Sequence, residues 1–379
     1  MKSLRCWAEV DLAALRENLA WIRHHVGPAV KILTVVKADA YGHGLSPIAA
    51  LLMQSGADVF GVASLAEARS IRAVGRGWPV LMLGACLPNE IEEAVRDDLR
   101  PTLSTVVEAE AFAVAATRAR KSVRVHVKVD TGMGRLGAQP EEALPLLQRV
   151  MTLPGLELEG CYTHLAAAED DREFTRRQLT LFQRVLAAAR AAGISIPLVH
   201  AANSAAVLHE PEARFNFIRP GLLVYGIAPP GRRPAPAELR TALRPALVFK
   251  CRVSLVKEIA KGTSLSYGHT FIASRRMRVA TLTTGYGDGY PRAASSRASL
   301  LIGGKRCRVL GRVTMDQLLA DVSQVDSAAP GDEAVLIGRQ GDAEITATEL
   351  AAWSNTIPWD IVTGITQRVP RLYRGATAA

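Results

Sequence analysis

Lys31-Ile32-Leu33-Thr34-Val35-Val36-Lys37 runs straight into Ala38-Asp39-Ala40-Tyr41-Gly42-His43-Gly44. The run before Lys37 is short, apolar and rich in β-branched residues, which predicts a buried strand over Lys31–Lys37. A strand that ends in a primary amine is unusual for packing alone. Desolvation favours the neutral amine, and the neutral amine attacks carbonyl carbon to form a Schiff base. The bland alternative is a lysine that snorkels from a core strand to solvent. Tyr41, His43 and two glycines crowd the same turn and weigh against it.

Similar runs recur outward from this one. Strands are expected near Asp58–Ala63, Pro79–Gly84, Arg100–Leu103, Val123–Val129, Leu156–Thr163, Pro197–Ala202 and Phe215–Arg219. Helix signals lie between them. Ser46-Pro47 offers an N-cap followed by proline at the first helical position, with Gly56 as a stop. Ser64-Leu65-Ala66-Glu67 reads as a capping box. Glu142 to Met151, and Glu173 to Ala192 before Gly193, carry helical apolar spacing. Eight β-then-α units predict a (β/α)8 TIM-type barrel over residues 11–230. A doubly wound open sheet is the rival, but no GxGxxG follows the first strand. Chemistry in such barrels gathers at the C-terminal strand ends. Lys37, Lys128 with Asp130, His164, Asn203 with Ser204, and Arg219 occupy those ends.

Ala228-Pro229-Pro230-Gly231-Arg232-Arg233-Pro234-Ala235-Pro236 is linker chemistry. Beyond it the pattern alternates through Leu247, Phe249, Cys251, Val253 and Leu255. Further strands are expected at Val279–Thr283, Ser299–Ile302, Arg306–Val313, Leu318–Val322 and Ala334–Gly338, with short helices at Thr346–Ala352 and Trp359–Thr363. Residues 240–379 therefore read as a mainly β C-terminal domain. Residues 1–10, Arg5–Val10 in particular, are candidates to pair with it.

The 379 residues suffice for two full cores, and 49% hydrophobic with 22% charged residues is globular composition. No apolar run reaches spanning length, so no membrane partner is expected. The N-terminus lacks a signal-peptide core. Five cysteines without a CxxC pair argue against disulfides and structural zinc, and point to the cytoplasm. A net charge of +10 raises nucleic acid as a partner, but the basic residues are scattered and aromatic content is only 5%, too sparse for a stacking platform. No histidine or carboxylate cluster has metal-ligand spacing.

The string Val35-Val36-Lys37-Ala38-Asp39-Ala40-Tyr41-Gly42-His43-Gly44 resembles the pyridoxal-phosphate attachment motif of the alanine racemases. The likeness runs on to Arg368-Val369-Pro370-Arg371-Leu372-Tyr373, nearly the whole chain. It implies a fold-type III enzyme with pyridoxal 5'-phosphate on Lys37, which also serves as a base at the substrate Cα. Tyr41 would hold the cofactor phosphate together with Ser204, Gly221 and Leu222, beside Asn203. From the residues themselves, Ser204 opens a short helix over Ala205–His209 and can face an anion. Arg219 matches the arginine that faces the pyridine nitrogen. Arginine keeps its proton, so the ring nitrogen stays largely unprotonated and the electron sink weak, which favours reprotonation at Cα. A structural ion pair is the other reading of Arg219.

Racemisation needs proton exchange on both faces of Cα. Tyr267, in Leu265-Ser266-Tyr267-Gly268-His269, matches the family tyrosine that serves the second face from the partner subunit. A free tyrosine titrates near ~10 and needs positive neighbours to act as a base. His164 resembles the histidine linking it to Arg219. Lys128-Val129-Asp130-Thr131-Gly132-Met133-Gly134-Arg135 is a further match. Arg135 would meet the cofactor phenolic oxygen and the substrate carboxylate, and in some members the lysine matching Lys128 is carbamylated and orients it. Tyr286 would stand at the site entrance. The Met315 amide would bind substrate carboxylate, and Asp316 would orient its neighbours.

Two residues depart from the family pattern. Thr314 replaces a common cysteine, and Trp359 replaces a common tyrosine near the phosphate. The resemblance implies a homodimeric racemase interconverting L- and D-alanine, a supply of D-alanine for peptidoglycan. A broader or serine racemase is the nearest variant. A barrel-type decarboxylase would be expected to carry a carboxylate at Arg219 and a cysteine near Tyr267. A single-barrel cofactor carrier would lack the residues after Pro245.

Overall fold

The computed structural model describes residues 4–237 and 239–375. Residues 1–3 of the N-terminal segment and 376–379 of the second domain, both included in the expectations above, lie outside them, as does residue 238. The chain forms two compact units. One comprises Arg16–Ala40 and Leu45–Leu243. The other comprises residues up to Leu15, Tyr41–Gly44, and everything from Arg244.

The chain starts with strand β1 (Cys6–Asp11). The strands of the larger unit follow in order: β2 (Lys31–Val35), β3 (Val59–Val62), β4 (Val80–Met82) and β5 (Thr102–Leu103), then β6 (Val123–Lys128), β7 (Leu156–Tyr162), β8 (Leu198–His200) and β9 (Phe217–Ile218). Each matches one expected run, trimmed at its ends. They form one parallel sheet in the order β4-β3-β2-β9-β8-β7-β6-β5. A parallel bridge between Leu81 and Arg100 joins its two edges, with the Met82 amide on the Arg100 carbonyl at 2.9 Å, so the sheet curls into a TIM-type barrel. Apolar side chains such as Ile32, Leu33, Phe60, Leu81 and Val127 are fully buried. Each such side chain contributes about 1.5–3 kcal/mol on burial.

Two local expectations are corrected. The helix after β2 is Leu45–Gln54, so Ser46 lies within its first turn and does not cap it. The Asp39 carboxylate accepts from the Leu45 amide at 2.7 Å in that role. Ser64 does cap helix Leu65–Val74 by accepting from the Glu67 amide. The reciprocal half of the box is absent, because Glu67 turns its carboxylate to the amides of Ala38 (2.8 Å) and Ala63 (2.7 Å). After the linker comes one short helix, Leu239–Ala242, too brief for apolar periodicity to reveal.

The smaller unit is a nine-stranded sheet with a two-stranded ribbon. Its strands are β10 (Leu247–Ile259), β11 (Ser264–Leu265), β12 (Phe271–Ile272), β13 (Met277–Leu282) and β14 (Ser299–Ile302), followed by β15 (Lys305–Leu310), β16 (Leu318–Asp321), β17 (Glu333–Gln340), β18 (Ala343–Ile345) and β19 (Arg371–Arg374). β1 belongs here. It runs antiparallel to β10, with Cys6 opposite Cys251, and parallel to β19, with Ala8 opposite Arg371. Ile259, Leu265, Met277, Val279 and Leu310 form one core cluster of this unit.

Candidate active site

The backbone after Lys37 takes a form the sequence does not advertise. Ala38, Asp39, Ala40 and Tyr41 all have φ between 51° and 55°, a left-handed turn made without glycine. Each L-residue in that region costs roughly 1–2 kcal/mol. The compensation is visible. Glu67 holds the Ala38 amide, the Ala40 amide reaches the Val36 carbonyl at 2.9 Å, and Asp39 caps the next helix. Gly42 (φ 77°) completes the turn, and a Cβ there would lie 2.0 Å from the Val362 carbonyl oxygen, so only glycine fits. Tyr41 is buried, and burial pushes its phenol pKa up.

Lys37 is half-buried at the head of this turn. Burial and the charge of Arg135 lower its amine pKa, with Glu67 opposing them. Lys128, at the end of β6, is buried and is depressed to about 8 by burial and then by Arg135 and Arg219. No carboxylate pairs with Lys37, Lys128 or Arg135 within 4 Å among the described residues. Asp130 is occupied otherwise. One of its oxygens accepts from the amides of Gly132, Met133 and Gly134 and shapes the loop that presents Arg135. Those three hydrogen bonds overcome burial and lower its pKa.

Lys128 makes stability depend on pH. Its folded pKa lies below the ordinary value of 10.5. Between about 8 and 10.5 the unfolded chain therefore binds the extra proton, and stability rises with pH at up to roughly 1.4 kcal/mol per unit. Below that window the penalty is constant. Urea unfolding of the cofactor-free protein, in buffer purged of carbon dioxide, is expected to show this climb, and Lys128→Met to flatten it. An unchanged slope in the variant would refute the assignment.

Arg219 follows β9 and is fully enclosed. Its guanidinium donates to His200 Nδ1 (2.8 Å), to the carbonyls of Thr163 (2.7 Å) and Ala201 (3.0 Å), and to His164 Nδ1 (3.3 Å). It lies 4.9 Å over the Tyr162 ring. No carboxylate touches it, so the ion-pair reading fails, and burial lowers its pKa to about 10. Its Nε–H meets no acceptor among the described residues. The same cations hold the His164 imidazole, after burial itself, well below its ordinary range.

Asn203 caps helix Ser204–His209 by accepting from the Ala206 amide (3.0 Å), and its other end donates to the Leu165 carbonyl. Ser204 Oγ accepts from the amides of Gly221 (2.9 Å) and Leu223 (3.4 Å). The amides of Ser204 and Leu222 meet no protein acceptor among the described residues. The larger unit thus brings together Lys37, Lys128, Arg135, His164, Asn203, Ser204, Arg219, Gly221 and Leu222 on consecutive strand ends. Cations and bare amides outnumber anions there.

The remaining residues belong to the smaller unit. Tyr267 opens a short 3-10 turn between β11 and β12, with φ positive at Ser266, Gly268 and His269, and is 70% exposed. Tyr286 and Met315 are also exposed. The amides of Tyr286 and Gly287 donate to the carbonyls of Thr314 and Met315, which ties the two loops together. Arg368 clamps them further through Asp288 (3.0 Å) and Asp316 (2.7 Å). Thr314 closes its own loop by donating to the Gln317 carbonyl. Trp359 lies half-buried in helix Pro358–Thr363.

Sequence reasoning missed His126, His200, Glu159 and Glu67. His126 was within reach, since it alternates with Lys128 on one face of β6.

The N-terminal alanine racemase domain family matches residues 10–229, and the C-terminal one matches residues 246–373. The chain is 44% identical over 373 residues to an alanine racemase of Symbiobacterium thermophilum, spanning 98% of each. It is 39% identical to one of Halothermothrix orenii, over 97% of this chain and 96% of the other. Among solved structures it resembles alanine racemase from D-cycloserine-producing Streptomyces lavendulae (TM-score 0.92, 35% identity, 100% of this chain and 99% of that one). It also resembles the biosynthetic alanine racemase of Pseudomonas aeruginosa (TM-score 0.88, 34% identity, 98% and 99%).

Proposed function

The chain belongs to the alanine racemase family, and from that premise we propose how its own residues interconvert L- and D-alanine. The family's general role is supply of D-alanine for peptidoglycan. The observation that carries the residue assignments is the half-buried Lys37 amine, its pKa lowered, in a ring of cations without carboxylate partners.

Such a ring fits pyridoxal 5'-phosphate, which brings a phosphate, a phenolic oxygen and a ring-nitrogen acceptor. When bound, the cofactor supplies the electron sink that makes an amino-acid Cα proton removable. Lys37 would hold it covalently and would carry a proton to and from one face of the substrate Cα. Its lowered pKa favours the neutral amine that accepts a proton. The amides of Ser204 and Leu222, which have no protein acceptor among the described residues, would bind the phosphate together with Tyr41 and Trp359, while Gly221, its amide taken by Ser204 Oγ, and Asn203, capping the helix that starts at Ser204, would hold that loop in place. Arg219, whose Nε–H has no acceptor among the described residues, would donate to the ring nitrogen. Arg135 meets the phenolic oxygen and the substrate carboxylate, with Lys128 and His164 beside it.

The second proton carrier is the Tyr267 phenol. Its exposure on its own chain supports a composite site in a homodimer, in which a second copy supplies Tyr267, Tyr286 and the Met315 amide. Asp316 and Arg368 position that Met315 loop. We assign the barrel to residues 11–230 and the partner-facing domain to 240–379, and place the enzyme in the cytoplasm on its unpaired cysteines. No described helix is long and apolar enough to cross a membrane.

Purified protein given pyridoxal phosphate and L-alanine in deuterated water is expected to yield D-alanine deuterated at Cα, without carbon dioxide. Carbon dioxide release would favour a decarboxylase. No exchange at all would favour a carrier. Serine offered in parallel measures substrate breadth.

A further inference from the structure

Behind Arg219 a line of buried side chains crosses the barrel. Arg219 meets His200 Nδ1 at 2.8 Å, His200 Nε2 meets His126 Nδ1 at 2.9 Å, and His126 Nε2 meets Glu159 Oε2 at 3.0 Å. Only one placement of protons satisfies the whole line. A guanidinium is a donor only, so His200 Nδ1 must accept and its proton must sit on Nε2. That proton can go only to His126 Nδ1, which leaves the His126 proton on Nε2, pointed at the carboxylate. Both imidazoles are neutral, for a second proton on either would set two donors head to head. Burial lowers the pKa of both rings in the same sense.

The barrel is shaped to make this line. The register of β6 against β7 slips between Val125 and His126, whose partners are Leu158 and Gly160, so Glu159 is the extra residue of a bulge. Bulges re-aim side chains. Gly160 clears the way, since a Cβ there would lie 2.3 Å from His126 Nδ1. Tyr162 stacks on His200 at 4.5 Å and 10° and also underlies Arg219. The far end has a competitor: Arg100 pairs with the same Glu159 oxygen at 2.8 Å, and both side chains are nearly enclosed.

We propose that Glu159 is the remote counter-charge of Arg219, joined to it by one-way hydrogen bonds through His126 and His200, and that this relay weakens Arg219 as a donor toward the cofactor ring nitrogen. The second half rests on the reading of Arg219 given above. Each bond in such a chain is polarised by the one before it, so the carboxylate's electron density is felt at the guanidinium. Glu159, His126 and His200 are positioning residues, acting only through Arg219. Arg100 sets the strength of the relay by drawing on the same oxygen.

The test is nuclear magnetic resonance of cofactor-free protein labelled with nitrogen-15 at histidine. Wild type is expected to carry the proton of both rings on Nε2. Glu159→Gln keeps an acceptor but removes the charge, and should move the His126 Nε2 proton upfield and the His200 Nε2 proton upfield by less. Arg100→Gln frees Glu159 and should move both downfield, so one variant suffices should the other fail to fold. A proton on Nδ1 of either ring, or a shift confined to His126, would overturn the relay. With ring-labelled pyridoxal phosphate bound, the pyridine nitrogen should move toward the protonated range in Glu159→Gln and away from it in Arg100→Gln. An unmoved pyridine nitrogen overturns the tuning, whereas wild type that binds no pyridoxal phosphate overturns the earlier reading of the site instead.

Discussion

Replacing Lys37 with alanine is expected to lower racemisation of alanine in both directions by at least about 10⁴-fold, because one side chain supplies both covalent attachment and a proton carrier. The amine ends a strand whose other residues are core, and its half-buried setting beside Arg135 lowers its pKa. The other amine of lowered pKa, Lys128, enters the same site from the end of β6 but is assigned no face of Cα. Chiral chromatography of alanine incubated with the variant measures the effect. Added methylamine should restore part of the rate, since a free amine can carry the proton without the tether. Activity within tenfold of wild type would remove Lys37 from the chemistry.

Tyr267→Phe gives a different pattern of loss. The ring remains and only the phenolic oxygen goes, so interconversion should drop by about 10²–10⁴-fold. The two enantiomers should no longer behave alike. Lys37 still serves its own face, so one enantiomer continues to exchange its Cα hydrogen with deuterated solvent, with retention of configuration. The other exchanges slowly. Because Tyr267 is 70% exposed on its own chain, protomer stability should change by no more than about 0.5 kcal/mol. Symmetric loss of exchange in both enantiomers would show that the phenol does not serve a separate face.

The barrel strands were legible because each is a short apolar run closed by turn residues, and burial on both faces leaves little room for other patterns. The polar strand ends at Lys37, Lys128, His164 and Arg219 were legible for the same reason: each interrupts packing where packing should continue. The left-handed turn was not. Ala38-Asp39-Ala40-Tyr41 contains no glycine, and its conformation is held by Glu67, 29 residues beyond Ala38. The relay was hidden likewise, since His126, Glu159 and His200 lie on three strands and meet only through a register slip. The pairing of Tyr41–Gly44 with the second unit was also unreadable, because chain proximity ties them to the first.

β1 has a biosynthetic consequence. It leaves the ribosome long before its neighbours β10 and β19, so Cys6 waits for Cys251 and Ala8 for Arg371. At about 5–20 residues per second of synthesis the nascent chain carries an unpaired apolar edge for tens of seconds. Trp7, Ala8 and Val10, all buried in the finished protein, are exposed throughout that interval. The barrel can close while the chain is still growing, but the second unit cannot be sealed until the last strand emerges. Nascent-chain chaperones therefore have a long opportunity at β1.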